Sequence, residues 1–207
     1  MPVTHTRTPP NLRSRKRQLV QDAIWDAAID LFGRKGYDET TVEEIVTAAG
    51  VSTRSFFRYF ASKSDLMAQG MVAYGAAMAA TIDACPRSWS PRQVFRHTVV
   101  DVARRTAAAP RTHRTIAVGM KYPAARAAEL ARLPEVQQRV ARAYAGRRAT
   151  GTRDTMTPAL LAALTFDVVS LALVTWFQDP RRDVEKTARQ AIRTLERLVG
   201  SPGGQTG

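Results

Sequence analysis

An all-α fold is predicted by three observations. Apolar residues recur at helical spacing along most of the 207 residues. Serine or threonine followed by proline punctuates the second half, marking helix starts. No segment alternates apolar and polar residues as a strand would, and no internal repeat is present. The punctuation predicts an N-terminal three-helix head over 13–62, a connecting helix over 63–84 and a helical bundle over 85–200. A disordered arm, 1–12, precedes them and a frayed tail, 201–207, follows.

The arm carries three prolines and little apolar content. Arg13, Arg15, Lys16 and Arg17 lead into a first helix over about 14–35, with Ile24, Ala27, Ala28, Leu31 and Phe32 on one stripe and Gly33 and Gly36 closing it. The second helix places Val42, Ile45, Val46 and Ala49 at i, i+3, i+4 and i+7. Thr41 and Glu44 have capping-box spacing at its start, and Gly50 supplies the left-handed residue that stops it. Val51 plugs the turn and Ser52 caps the third helix, about 53–60. That helix buries Phe56 and Phe60 and leaves Thr53, Arg54, Phe57 and Arg58 on its other faces. Ser62 with Asp65 caps the connecting helix, whose Ala, Gly and Met content permits close backbone approach until Cys85-Pro86 stops it.

Ser90-Pro91 then opens a helix ending near Pro110, followed by one from Thr112 to Tyr122. The next is expected from Ala124 to Arg148, bent at Pro134, before a loop from Ala149 to Met156. Thr157-Pro158 opens a helix to Phe177 that is apolar nearly all round. After Asp179-Pro180, the last helix, 183–199, carries Val184, Ala188, Ile192, Leu195 and Val199 on one stripe.

Composition narrows the function. The net charge of +13 is unevenly spread: 1–65 hold 10 basic and 8 acidic residues, whereas 86–153 hold 15 and 3. Three readings of that basic stretch stay open: a compositional bias towards arginine, a preference for an anionic effector, and long-range attraction to DNA. The single cysteine, Cys85, permits no intramolecular disulfide and suits a reducing cytoplasm, the expected location. A membrane span over 158–177 is not expected, because Asp167 interrupts it and an intramembrane carboxylate is costly. Catalysis is unsupported. His5, His97 and His113 have no carboxylate at ligand spacing, and no HExxH, paired CxxC, GxSxG or phosphate-binding glycine loop occurs. No cofactor or metal is expected.

A short polar-faced helix held after a tight turn suits insertion into the major groove of a double-stranded DNA operator. Residues at the start of such a helix reach base edges, which makes Thr53, Arg54 and Phe57 candidates for base contact. The stretch from Ala23 to Phe32, with Gly36-Tyr37, Thr40-Thr41-Val42, Ala49-Gly50-Val51-Ser52, Phe57-Arg58-Tyr59-Phe60, Lys63 and Leu66, resembles the DNA-binding domain of the TetR family of bacterial transcription regulators. That resemblance covers about 15–75 and implies phosphate contacts at Thr41, Ser55, Tyr59 and Lys63, for which hydroxyls and a lysine are chemically apt. Ser52, at the start of the third helix, is a further phosphate candidate. Phe57 departs from the tyrosine more frequent in the family, and burial against Phe56 is its alternative fate. Arg15 and Arg17 serve either as phosphate contacts or as a solvated helix start.

The second half resembles the actinobacterial branch of that family that includes the mycofactocin regulator, which implies a small-molecule effector of the long-chain acyl-CoA type. Candidate pocket residues are Met71, Tyr74, Met78, Trp89, Phe95, Met120, Tyr122 and Phe166, although residues of these types are more often plain core than ligand wall. Leu160, Leu164, Val168 and Leu171, with Ile192, Leu195 and Val199, exceed what one bundle face can cover. They are expected to pair with their copies in a homodimer. The expected function is therefore a ligand-released repressor with a helical ligand-binding and dimerisation bundle. The alternative is a small-molecule or acyl-CoA-binding module whose head serves protein contacts.

Overall fold

The computed structural model describes residues 12–147 and 154–200. The expected arm up to residue 11, residue 148 at the end of an expected helix, residues 149–153 of the expected loop and the tail lie outside them. The described residues form ten α-helices in order: α1 Leu12–Arg34, α2 Val42–Ala49, α3 Thr53–Tyr59, α4 Lys63–Ala84 and α5 Pro91–Ala107, then α6 Pro110–Lys121, α7 Pro123–Leu130, α8 Leu133–Ala145, α9 Met156–Gln178 and α10 Val184–Gly200. No strand occurs among the described residues. Leu12 is already helical, and α1 runs through Gly33, so the turn is made instead by Gly36 at φ +114°.

Local chemistry accounts for most boundaries. The Thr41–Glu44 capping box forms, with the Glu44 amide donating to Thr41 Oγ1 at 3.2 Å and the Thr41 amide to Glu44 Oε2 at 3.0 Å. Gly50, at φ +64°, donates its amide to the α2 carbonyls and turns the chain into α3. Ser52, Ser62 and Ser90 cap α3, α4 and α5 through their hydroxyls.

Three boundaries differ from the sequence reading. Pro110 begins α6 at its first position rather than marking the end of α5. The single bent helix over 124–148 is two helices, because Pro134 in the first turn of α8 lacks the amide that would bond back to Leu130. Thr157 is not the cap of α9. That helix begins a residue earlier, at Met156, and the Asp154 carboxylate accepts from the amides of Met156 and Thr157 at 2.9 and 3.0 Å.

Two hydrophobic clusters result. In the head, Ile24, Phe32, Ile45, Phe56, Leu66 and Met67 are buried together, and Val118 of α6 and Ala125 of α7 join them. The bundle core gathers α4, α5, α8, α9 and α10 around residues such as Met78, Ile82, Val99, Phe166, Val169 and Ile192. Each such side chain contributes about 1.5–3 kcal/mol by leaving water. Helices α6 and α7 thus belong to the bundle in sequence yet lend side chains to the head core. α9 has the length and composition of a membrane-spanning helix, but here it packs against α5, α8 and α10.

Candidate nucleic-acid interface and adjoining cavity

The head presents an exposed polar face built on α3. Thr53, Arg54, Phe57 and Arg58 are all exposed, while Phe56 behind them is buried and anchors the helix. Phe57 meets Phe56 edge-on at 5.3 Å yet stays 55% exposed, so it is not a core residue. Thr41 and Ser52 stand exposed at the N-termini of α2 and α3, where unbonded amides favour anions. Ser55 is half-buried and accepts from the Ser52 hydroxyl at 3.0 Å.

Tyr59 gathers basic residues from two helices. The Arg58 guanidinium lies 4.8 Å from its ring centroid and donates to its hydroxyl at 3.2 Å. Arg17 of α1 stands 5.9 Å from the same ring. Arg15 and Arg17 are exposed on the first turns of α1. Arg58 was read from sequence only as facing away from the core, and its place on Tyr59 makes it a further phosphate candidate.

Lys63 is corrected. Its ammonium has three donors, and it donates to the carbonyls of Tyr37, Asp38 and Thr40 at 2.6, 3.3 and 3.1 Å. It also lies 4.5 Å from the Tyr37 ring centroid. Lys63 therefore staples the α1–α2 loop to the start of α4 and has no donor left for a phosphate.

A cavity of about 680 Å³ opens directly behind this face. Its head-side wall consists of Gln18, Gln21, Asp22 and Trp25 of α1, Phe60 at the end of α3, and Gln69 and Gly70 of α4. Gln69 also donates to the Tyr59 carbonyl at 2.9 Å, holding the last turn of α3. The opposite wall comes from α5, α6, α7 and α9. Arg111 of α6 bridges the two, clamping Asp26 through Nε and Nη2 at 2.9 and 2.7 Å and Asp22 through Nη1 at 2.7 Å. A bidentate pair of this kind fixes orientation as well as distance.

Of the predicted pocket residues, Met71, Tyr74, Met120 and Phe166 line this cavity. Met78 and Phe95 are instead buried in the bundle core. Tyr122 packs on the head core beside Gly36. Trp89 lines a separate cleft of about 610 Å³ between α5 and α10, meeting His97 edge-on at 5.3 Å. Trp25, Gln69 and Arg111 escaped the sequence reading. One sequence signal points to Trp25, which lies beside the α1 core stripe rather than on it; in the structure a methyl group at Gly70 would come within 2.4 Å of its ring.

The expected pairing face also needs correction. Val168 and Ile192 are buried at 7% and 2% exposure inside the bundle core, so neither is available to a partner. Leu164 and Leu195 are half-buried against that core. Leu160, Leu171 and Val199 are exposed, and Met156 and Leu198 join them, giving an apolar surface along α9 and the end of α10.

Comparison with known proteins agrees with this architecture. The family model for bacterial regulatory proteins of the tetR family matches residues 24–69, and the MftR C-terminal domain model matches 89–200. The HTH-type transcriptional regulator TcmR of Streptomyces glaucescens is 30% identical over 197 residues, covering 87% of this chain and 84% of that protein. Among solved structures, a TetR-family regulator of Streptomyces coelicolor A3 covers 95% of this chain and 99% of its own at 19% identity and TM-score 0.58. NalD, the secondary repressor of the MexAB-OprM multidrug efflux pump in Pseudomonas aeruginosa, has TM-score 0.63 at 18% identity, covering 87% of this chain and 96% of its own. The helix-turn-helix face, the cavity behind it and these matches lead to one conclusion: the chain belongs to the tetR family of bacterial regulatory proteins and is a DNA-binding transcription regulator, not an enzyme.

Proposed function

We propose that this regulator is a ligand-released repressor that binds a near-palindromic operator as a homodimer in the cytoplasm. One observation carries the proposal: the cavity is walled on one side by the DNA-reading head itself, through Trp25, Phe60 and Gln69. A small molecule filling it would press on α1 and on the end of α3, and thereby change the spacing of the recognition helices. DNA would oppose ligand to the same degree that ligand opposes DNA, because the coupling is reciprocal.

In this reading Thr53, Arg54 and Phe57 meet base edges, Arg54 through a bidentate contact to guanine and Phe57 through a thymine methyl. Thr41, Ser52, Ser55, Tyr59, Arg15, Arg17 and Arg58 hold phosphates. Two heads enter successive major grooves when Leu160, Leu171, Leu198 and Val199 of one chain cover their copies in another. NalD is itself a repressor, which accords with this sign of regulation.

Selection of bound sequences from random duplex DNA by the purified protein tests the proposal. Inverted half-sites with centres about 10–10.5 base pairs apart, or a multiple of that, are expected. Affinity should fall with log salt by about 0.9 per phosphate contact. Enrichment of no sequence, or of a single half-site without its inverted copy, would refute the dimeric operator reading.

A further inference from the structure

The cavity behind the head contains two donors without a well-formed partner. Trp25 Nε1 and the Tyr74 hydroxyl are both shielded from solvent and both belong to lining residues; the indole N–H makes no hydrogen bond, and the phenol has only a loose approach to the Thr106 hydroxyl in place of a well-formed one. Buried polar groups are nearly always paired, so two such donors in one cavity point to a missing acceptor. An indole N–H can only donate. The Tyr74 phenol is pushed above its ordinary pKa by burial and by the charge of Glu129, with the Thr106 hydroxyl opposing weakly, so it is a donor.

The charged residues of the lining are, by contrast, already satisfied. Arg105 pairs with Asp101 at 2.6 Å, Arg111 with Asp22 and Asp26 at 2.7 Å, and Arg126 with Glu129 at 2.8 Å. An anionic ligand would have to compete with these carboxylates for the arginines, whereas an uncharged one would leave the pairs intact. The remaining surface is mostly apolar, with Phe60, Met71, Ile116, Phe166, Leu173 and Val174 among its contributors. At about 680 Å³ the space falls within the range of sites for drug-sized molecules.

We infer that the cavity takes an uncharged, largely apolar ligand bearing a carbonyl-type acceptor oxygen, to which Trp25 and Tyr74 donate. The inference rests on the reading of this cavity as the effector site and narrows the effector away from acyl-CoA. Because Trp25 stands on α1 and Tyr74 on α4, such a ligand would touch both the head and the connecting helix.

Two fluorescent probes of similar size test it on the full chain: the neutral naphthyl ketone Prodan and the anionic anilinonaphthalene sulfonate. Prodan is expected to saturate one site per chain. Trp25→Phe and Tyr74→Phe should each weaken it about threefold to tenfold, the worth of one hydrogen bond. Without probe, Tyr74→Phe should melt at or above the wild-type temperature, because it removes a poorly paired buried atom. A hydroxyl with a purely structural role would lower the melting temperature instead. Trp25 also packs on Gly70, so Tyr74→Phe, which removes a single oxygen, is the deciding variant.

Failure of Prodan to saturate a site, its equal binding by wild type and Tyr74→Phe, or its displacement by a tighter-binding sulfonate would overturn the inference. Prodan binding as described, with no effect on the operator complex, would uphold the ligand class and refute ligand release.

Discussion

At the scale of single residues, Arg54 and Lys63 represent opposite uses of a positive charge. Arg54 is exposed at the start of α3 with Phe56 fixing the helix beneath it. Arg54→Ala should cost about 1–3 kcal/mol on the preferred operator and relax selection at one base pair per half-site. Equal weakening on specific and random duplex, read by fluorescence anisotropy, would show that Arg54 touches only the backbone. Lys63 is turned inward onto three carbonyls of the α1–α2 loop. Lys63→Met should lower head stability by about 1.5–3 kcal/mol, the range for bonds to a charged group, and leave the salt slope of DNA binding unchanged. A slope shallower by about 0.9 would restore the phosphate contact. Sequence could identify Lys63 as important but not its direction, since that depends on the backbone turned at Gly36.

At the scale of elements, what was legible was local. The Thr41–Glu44 box, Gly50, Ser52 and Ser62 act between residues a few positions apart, so their spacing alone sets the limits of α2, α3 and α4. The division of α7 from α8 was legible only as a bend, because a proline in a helical pattern signals either outcome. The pairing face was harder still. α9 is apolar nearly all round, so periodicity could not say which leucines the fold covers. The structure buries Val168 and leaves Leu160 and Leu171 at 57% and 59% exposure. Leu171→Arg should therefore yield monomer by light scattering, abolish tight operator binding and leave the melting temperature of the chain close to its starting value. Val168→Arg should unfold the bundle instead, by placing an unpaired charge in its core. A Leu171→Arg protein that remains dimeric would exclude this face of α9 from the interface.

At the scale of the whole molecule, the junction between head and bundle ties the helix-turn-helix to the walls of the cavity. α6 and α7 lend Val118 and Ala125 to the head core, Arg111 clamps Asp22 and Asp26, and Gln69 reaches from the cavity wall to the last turn of the recognition helix. None of these contacts joins neighbours in sequence, which is why the cavity residues on α1 were not foreseen. Four aromatic and methionine candidates line this cavity because they face it from α4, α6 and α9. The other four occupy core, the head junction or the α5–α10 cleft, since composition cannot distinguish an apolar wall from apolar packing.

The most direct test of control through this cavity is the operator affinity of a variant in which the cavity is filled without any ligand. Ser170 lines it from α9 and is half-buried. Ser170→Trp should occupy much of the space, exclude Prodan and press on α1 and α4 as an effector would. With the fold intact by circular dichroism, operator binding should be at least about fivefold weaker than wild type, the lower end of typical allosteric coupling. A folded Ser170→Trp protein that excludes Prodan yet binds operator with wild-type affinity would contradict control of DNA binding through the cavity.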